Sequence, residues 1–151
     1  MNVLVDTCVW SLALRRSSSR DSGFKGKNSR EAVLVRELRE LIREGRVWMM
    51  GPIRQELLSG IRSEVQFEKI RSALGAFPDI DLAQADYEQA AQHFNSCRRH
   101  GVQGSNTDFL ICAAAARLEL GILTCDQDFE HFSKYLPVHR HAVRPEFVDV
   151  S

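Results

Sequence analysis

The sequence predicts an α/β fold, a parallel central sheet covered by helices on both faces, and three observations carry that reading. Short apolar runs recur at residues 2–5, 47–50 and 122–124. Longer segments with helical spacing of apolar residues stand between them. Strands that alternate with helices in this way are joined by right-handed crossovers, which produce a parallel sheet. In such sheets a ligand sits beyond the carboxyl ends of the strands, near the point where strand order reverses. At 151 residues the chain is long enough to bury a core without covalent staples, and a single domain over 1–151 is expected.

Taken in order, residues 2–5 form the first buried strand and 7–14 a short helix. Residues 17–28 are rich in Ser, Gly and charge and read as a loop. A helix over 29–44 places Leu34, Leu38, Leu41 and Ile42 on its apolar stripe, with Gly45 where a C′ glycine belongs. After the strand at 47–50, Pro52 suits the first turn of a helix carrying Glu56, Leu57 and Leu58. Residues 63–74 are helical, offering Val65, Ile70 and Leu74 for packing, and 79–82 read as a third short strand. The helix over 83–100 lines up Tyr87, Ala90, Ala91, Phe94 and Cys97, and ends at Gly101. The helix over 106–120 carries four alanines at 113–116 that permit close backbone approach, and ends at Gly121. The strand at 122–124 leads to a short helix holding Phe129 and Phe132, and 147–150 read as a last edge strand. There is no internal repeat and no glycine-rich phosphate loop.

Composition excludes some classes of function. A formal net charge of zero argues against a purely electrostatic nucleic-acid binder. The charge is unevenly spread, however. Between Arg15 and Arg30 six basic residues, Arg15, Arg16 and Arg20 among them, face one acid, Asp21, for a local charge of +5. Smaller basic clusters follow at Arg98-Arg99-His100 and around His139-Arg140-His141. Such a strip attracts a phosphate backbone or serves as a solvated loop. No apolar stretch approaches the length of a membrane span, and no signal-peptide pattern opens the chain, so a cytoplasmic protein with no membrane partner is expected. Four cysteines (Cys8, Cys97, Cys112, Cys125) without CxxC spacing fit a reducing compartment.

The informative residues are acids. Asp6 and Asp126 each follow an apolar strand, where burying a charge is expensive. Singly, each acid has a structural role: Asp6 and Asp126 can cap helices, Ser105-Asn106-Thr107-Asp108 resembles a capping box, and Glu56 can face water. Jointly they form a pattern that capping does not explain, because three of them border one rim and the fourth lies a turn into a helix entering from it. Converging carboxylates repel one another and call for cations. A carboxylate site without histidine suits Mg²⁺ or Mn²⁺, ions that polarise a phosphoryl oxygen and activate water.

These residues resemble the PIN domain, and within it the VapC-type toxin ribonucleases of toxin–antitoxin pairs. The matching stretches are Val3-Leu4-Val5-Asp6-Thr7, the segment from Pro52 through Glu56 to Gly60, the segment from Thr107-Asp108 to Ala116, and Leu123-Thr124-Cys125-Asp126-Gln127-Asp128-Phe129. The resemblance implies a three-layer α/β/α sandwich. It also implies a Mg²⁺- or Mn²⁺-dependent endoribonuclease acting on single-stranded or loop RNA, transfer RNA among its targets. On that resemblance Asp6, Glu56, Asp108 and Asp126 form the metal-binding acidic site. Asp6 and Asp108 are its direct ligands, while Glu56 and Asp126 bind a second ion or hold water. Thr124 lines the site, Thr7 donates a supporting hydrogen bond, and Asp128 is a weaker companion of Asp126. A homodimer and a cognate antitoxin are implied as well. Two departures stand out: Cys8 occupies a position where serine or asparagine is more usual, and the loop at 17–28 is long.

Two rival readings use the same residues. A non-catalytic PIN-fold module would use the groove to bind a protein, although all four acids are present. A phosphatase of the haloacid dehalogenase kind needs Asp-x-Asp after the first strand, and Cys8 stands in the second place. His93, Cys97 and His100 share a helix face, but Cys97 belongs to the apolar stripe and a closed zinc site needs four ligands. His139 and His141 alternate as in an extended segment, with nothing to complete a site. Trp10 and Trp48 read as core or interface residues.

Overall fold

Val3–Val5 form the first strand, β1, and all three side chains are fully buried, as expected of a strand covered on both faces. The computed structural model describes residues 1–18 and 29–148, with side chains described for 1–15 and 30–148. Three further strands, β2 (Val47–Trp48), β3 (Gly121–Leu123) and β4 (His139–Arg140), complete a parallel sheet in the order β2-β1-β3-β4. Val3 lies opposite Val47 on one side and Gly121 on the other, and Val5 lies opposite Leu123. The two central strands are buried throughout, whereas Trp48, His139 and Arg140 on the edge strands are exposed. From β1 the chain passes to β2 on one flank and later returns to β3 on the other. Strand order therefore reverses at β1, and the carboxyl ends of β1 and β3 flank the resulting crevice.

The helices are α1 (Thr7–Ser18), α2 (Ser29–Arg43), α3 (Gly51–Leu58), α4 (Glu64–Leu74), α5 (Gln84–Arg99), α6 (Asn106–Leu118) and α7 (Asp128–Phe132). They cover the sheet in an α/β/α sandwich, with α1 against α2 and α3, α3 against α4, and α5 against α6. Buried Ala113, Ala114 and Ala115 let α6 sit close to its neighbours. Phe109 of α6 meets Phe132 of α7 with ring centroids 4.9 Å apart, and Phe129 meets Phe132 at 5.1 Å. Aromatic pairs of this kind contribute about 0.5–1.5 kcal/mol each beyond their buried area. A Cβ at Gly104 would fall 2.5 Å from the Phe132 ring, so only glycine lets the segment before α6 approach this cluster.

Most expected elements are present, with boundaries shifted by a few residues, and Gly45 and Gly101 take the positive φ expected after their helices. Several expectations need correction. Residues 79–82 form no strand, only a bridge between Asp79 and Met49, because the preceding Pro78 and the exposed Asp81 do not extend the pairing. Among the described residues the last strand is His139–Arg140; Pro145 opens a 3-10 turn over Pro145–Phe147, so Phe147 and Val148 are not in a strand, and residues 149–151 lie outside the described ones. The left-handed residue that ends α6 is Glu119 (φ 54), and Gly121 already belongs to β3. On α5 the buried line is Asp86, Ala90, His93 and Cys97, while Tyr87 is 55% exposed and Ala91 also faces solvent. The helix is turned because Asp86 faces inward to pair with Arg117 of α6, at 2.6 Å and 2.8 Å. On α2, Ile42 is exposed and Val35 and Glu37 are buried instead; on α4, Val65 is exposed. Ser17 and Ser18 end α1, and the rest of the expected loop up to Asn28 lies outside the described residues.

Candidate active site

Asp6 is the first residue after β1, and its backbone N–H still pairs with Leu123 of β3 at 2.9 Å. This last rung of the sheet fixes the carboxylate in the crevice, where the residue is only 7% exposed. One carboxylate oxygen accepts the Thr7 backbone N–H at 2.8 Å, and the other accepts the Thr124 hydroxyl at 2.9 Å. Burial raises the pKa of Asp6 above its ordinary value of 3.8; these hydrogen bonds oppose that shift, while the charges of Asp108 and Asp126 add to it.

The other acids are positioned by their own local motifs. Ser105 and Asp108 form a complete capping box at the start of α6: the Ser105 hydroxyl accepts the Asp108 N–H at 3.1 Å, and the Asp108 carboxylate accepts the Ser105 N–H at 3.0 Å. Burial raises the Asp108 pKa as well, and the charges of Asp126 and Asp128 contribute in the same direction. Thr124 joins β1 to the loop after β3, because its hydroxyl donates to Asp6 and accepts the Asp126 N–H at 3.0 Å. Asp126 accepts the Asp128 N–H at 2.9 Å, which sets the entry to α7. Glu56 of α3 is exposed and tied in by the Thr7 hydroxyl, which donates to it at 2.7 Å. Asp128 is exposed on the outer side of Asp126.

Capping and convergence therefore coexist in the same residues. The charges of Asp108 and Asp126 raise the proton affinity of Asp6, that of Asp126 also raises the proton affinity of Asp108, and Glu56 reaches the group through Thr7. Among the described residues, no three acidic, histidine or cysteine side chains are drawn into a ready-made ligand shell. The donor chemistry nonetheless fits a hard divalent ion. The described partners of Asp6 and Asp108 are hydroxyls, backbone N–H groups, a thiol and other carboxylates, with no lysine or arginine among them.

Beside Thr124 opens a cavity of about 500 Å³ lined by Arg30, Leu123, Arg140 and His141. A second, of about 550 Å³, is lined by Cys8, Arg15, Arg30 and Cys125. Arg15 and Arg30 thus border the acidic rim, while the Arg16 side chain and Arg20 lie outside the described residues. Sequence reasoning missed Glu37, which is fully buried on α2, 3.0 Å from His141 Nε2 and 3.2 Å from Arg144 Nε. It secures the segment that walls the first cavity. Its signal was an acid among the buried residues of an apolar stripe, one place before Leu38. His93 is buried, and burial lowers its pKa; His100 instead stacks on Tyr135 at 4.2 Å. Trp10 is buried against Phe77, whereas Trp48 is 36% exposed on an edge strand.

The PIN domain family model matches residues 3–135. No curated protein matches the chain by sequence. Among solved structures, VapBC2 from Rickettsia felis bound to a DNA fragment from its promoter is similar with a TM-score of 0.70 and 14% identity, over 93% of this chain and 98% of that one. FitAcB from Neisseria gonorrhoeae is similar with a TM-score of 0.64 and 20% identity, over 93% and 96%. A toxin–antitoxin complex from Klebsiella pneumoniae gives 0.57 and 20%, over 85% and 90%. With a family match over most of its length and acids at the switch point of a parallel sheet, the chain belongs to the PIN-domain family.

Proposed function

We propose that this protein is a Mg²⁺- or Mn²⁺-dependent endoribonuclease for single-stranded or loop RNA, with transfer RNA as the first substrate to test. It acts as the toxin of a toxin–antitoxin pair, as a homodimer, restrained by a cognate antitoxin. The observation that carries this reading is the buried Asp6, which shares its crevice with Asp108 and Asp126 and has no cation among its described partners. The likeness to VapBC2 and to the toxin–antitoxin complex from Klebsiella pneumoniae supports the antitoxin as partner.

Asp6 and Asp108 would hold the ion directly, with Glu56 and Asp126 holding a second ion or water. When bound, a divalent ion supplies Lewis acidity towards a phosphoryl oxygen and a more acidic water. The protein's own contribution is alignment. Thr124 orients one oxygen of Asp6 and the backbone of Asp126, Thr7 orients Glu56, and Asp128 holds Asp126 through its N–H. Arg15 and Arg30, which line the second cavity, supply positive charge for the RNA backbone, and Arg16 and Arg20 belong to the same basic stretch of sequence.

The test is RNA cleavage by the purified protein, free of antitoxin, with Mg²⁺ or Mn²⁺ and again in excess EDTA. Cleavage is expected only with metal, leaving 5′-phosphate and 3′-hydroxyl ends. Undiminished cutting in EDTA, or cyclic-phosphate ends, would overturn the mechanism.

A further inference from the structure

Cys8 lies in the first turn of α1 and Cys125 in the loop after β3. Because Val5 and Leu123 are paired across the sheet, the two chains leave it side by side, and residues 117 positions apart meet at the rim. The Cys8 sulfur accepts the Cys125 backbone N–H at 3.1 Å. That bond holds the Cys8 sulfur against the backbone of the residue that carries the second thiol. Both cysteines are half-buried and line the cavity of about 550 Å³, which gives small molecules a route to them. The two remaining cysteines, Cys97 and Cys112, are fully buried.

We propose that Cys8 and Cys125 form a modification site, joined in a disulfide by an oxidant of the peroxide class. One S–S bond forms, each thiol gives up a proton and an electron, and the O–O bond breaks to yield two waters from hydrogen peroxide, or water and an alcohol from an organic peroxide. The reduced Cys8 sulfur stands 3.8 Å from an Asp6 carboxylate oxygen and 3.6 Å from the Thr124 hydroxyl. Bond formation withdraws it from both and ties α1 to the loop that carries Asp126. The disulfide therefore lowers RNA cleavage, a consequence that rests on the nuclease reading, whereas the bond itself does not. Exposure to peroxide is for hours.

The experiment treats the folded protein with hydrogen peroxide, alkylates the remaining thiols, and maps tryptic peptides. The expected product links peptide 1–15 to peptide 118–134 within one chain, is cleaved by a thiol reductant, and leaves Cys97 and Cys112 to be alkylated only after denaturation. Cleavage by the wild type is expected to fall at least tenfold on oxidation and to recover on reduction, while Cys125→Ser keeps whatever cleavage it had. Full alkylation of Cys8 and Cys125 in the folded protein after peroxide, or linkage between chains, would overturn the site. A mapped disulfide with unchanged cleavage would overturn its effect on activity. Absence of cleavage before oxidation counts against the nuclease reading alone, and the peptide map still decides the site.

Discussion

Asp86 and Asp6 are both buried aspartates, 2% and 7% exposed, and the fold treats them in opposite ways. Asp86 receives two hydrogen bonds from the Arg117 guanidinium and one from the Ala83 N–H, and the guanidinium holds its pKa below the ordinary value. Asp6 receives a hydroxyl and a backbone N–H, has carboxylates as charged neighbours, and is shifted upward. Glu37, fully buried, is treated like Asp86, with His141 and Arg144 beside it. Where a buried acid only has to be stable, this protein supplies its cation from within. At the sheet rim Asp6 has no cation among its described partners, which costs stability unless one arrives from solution. That contrast supports the proposed metal site.

Four measurements would break or sharpen that contrast, beginning with the largest effect. Asp108→Asn keeps the shape and an oxygen but removes a charge, so metal-dependent RNA cleavage is expected to fall by more than about 100-fold, the upper end of what losing an outer-shell partner costs. Retained cleavage would mean that Asp108 serves the capping box alone.

Arg117→Ala tests the other pole. Stranding a buried charge costs about 3–5 kcal/mol, and because Arg117 is itself 42% exposed the expected loss is nearer about 2 kcal/mol, read from urea unfolding without metal. Cleavage per folded molecule should be unaffected. A variant as stable as wild type would remove the distinction between the two aspartates.

The third comparison is thermal. Without metal, Asp108→Asn should melt level with or above wild type, because relief of repulsion offsets a helix-dipole loss of about 0.3–1 kcal/mol. Stabilisation by added Mg²⁺ or Mn²⁺ should shrink in the variant, since a ligand stabilises only through its affinity for the folded state. An equal loss of stability with EDTA and with Mg²⁺ would favour capping over convergence.

The smallest effect is in pH. The pKa of Asp86 is depressed on folding, so its contribution is complete above about 3.8 and is lost as pH falls through the lower folded value. The pKa values of Asp6 and Asp108 are raised, so their penalty is absent below 3.8, grows as pH rises through the raised folded values, and is complete above them. His93, held neutral by burial, opposes this by costing stability as pH drops below 6.5. The readout is therefore the difference between wild type and Asp108→Asn in metal-free buffer. Wild type should gain on the variant as pH falls towards 3.8, and parallel curves would contradict the raised pKa.

Much of the site was legible because its signals are local. An apolar run that ends in an acid identifies the carboxyl end of a strand, so Asp6 and Asp126 could be assigned to one rim before any strand order was known. The Ser105–Asp108 box lies within a single turn and formed as expected. The buried face of α5 was misread because Tyr87 and Ala91 are apolar and Asp86 is not. Only Arg117, 31 residues away, makes burial of Asp86 tolerable. β4 was missed for a similar reason: His139 and Arg140 are exposed on an edge strand, and no apolar alternation marks them.

Sequence by itself determined the alternation of strands and helices, the acids that follow the strands, and the caps and C′ glycines, because propensity, capping and patterning act over a few residues. Tertiary structure alone decided that β3 pairs directly with β1 and so brings Asp126 next to Asp6, that Thr124 bonds Asp6 across 118 positions, and that Thr7 holds Glu56 across 49. It also decided which buried acids receive arginine and which do not. These outcomes depend on which strands pair, and pairing is settled by burying Val3–Val5 and Gly121–Leu123 together in one core.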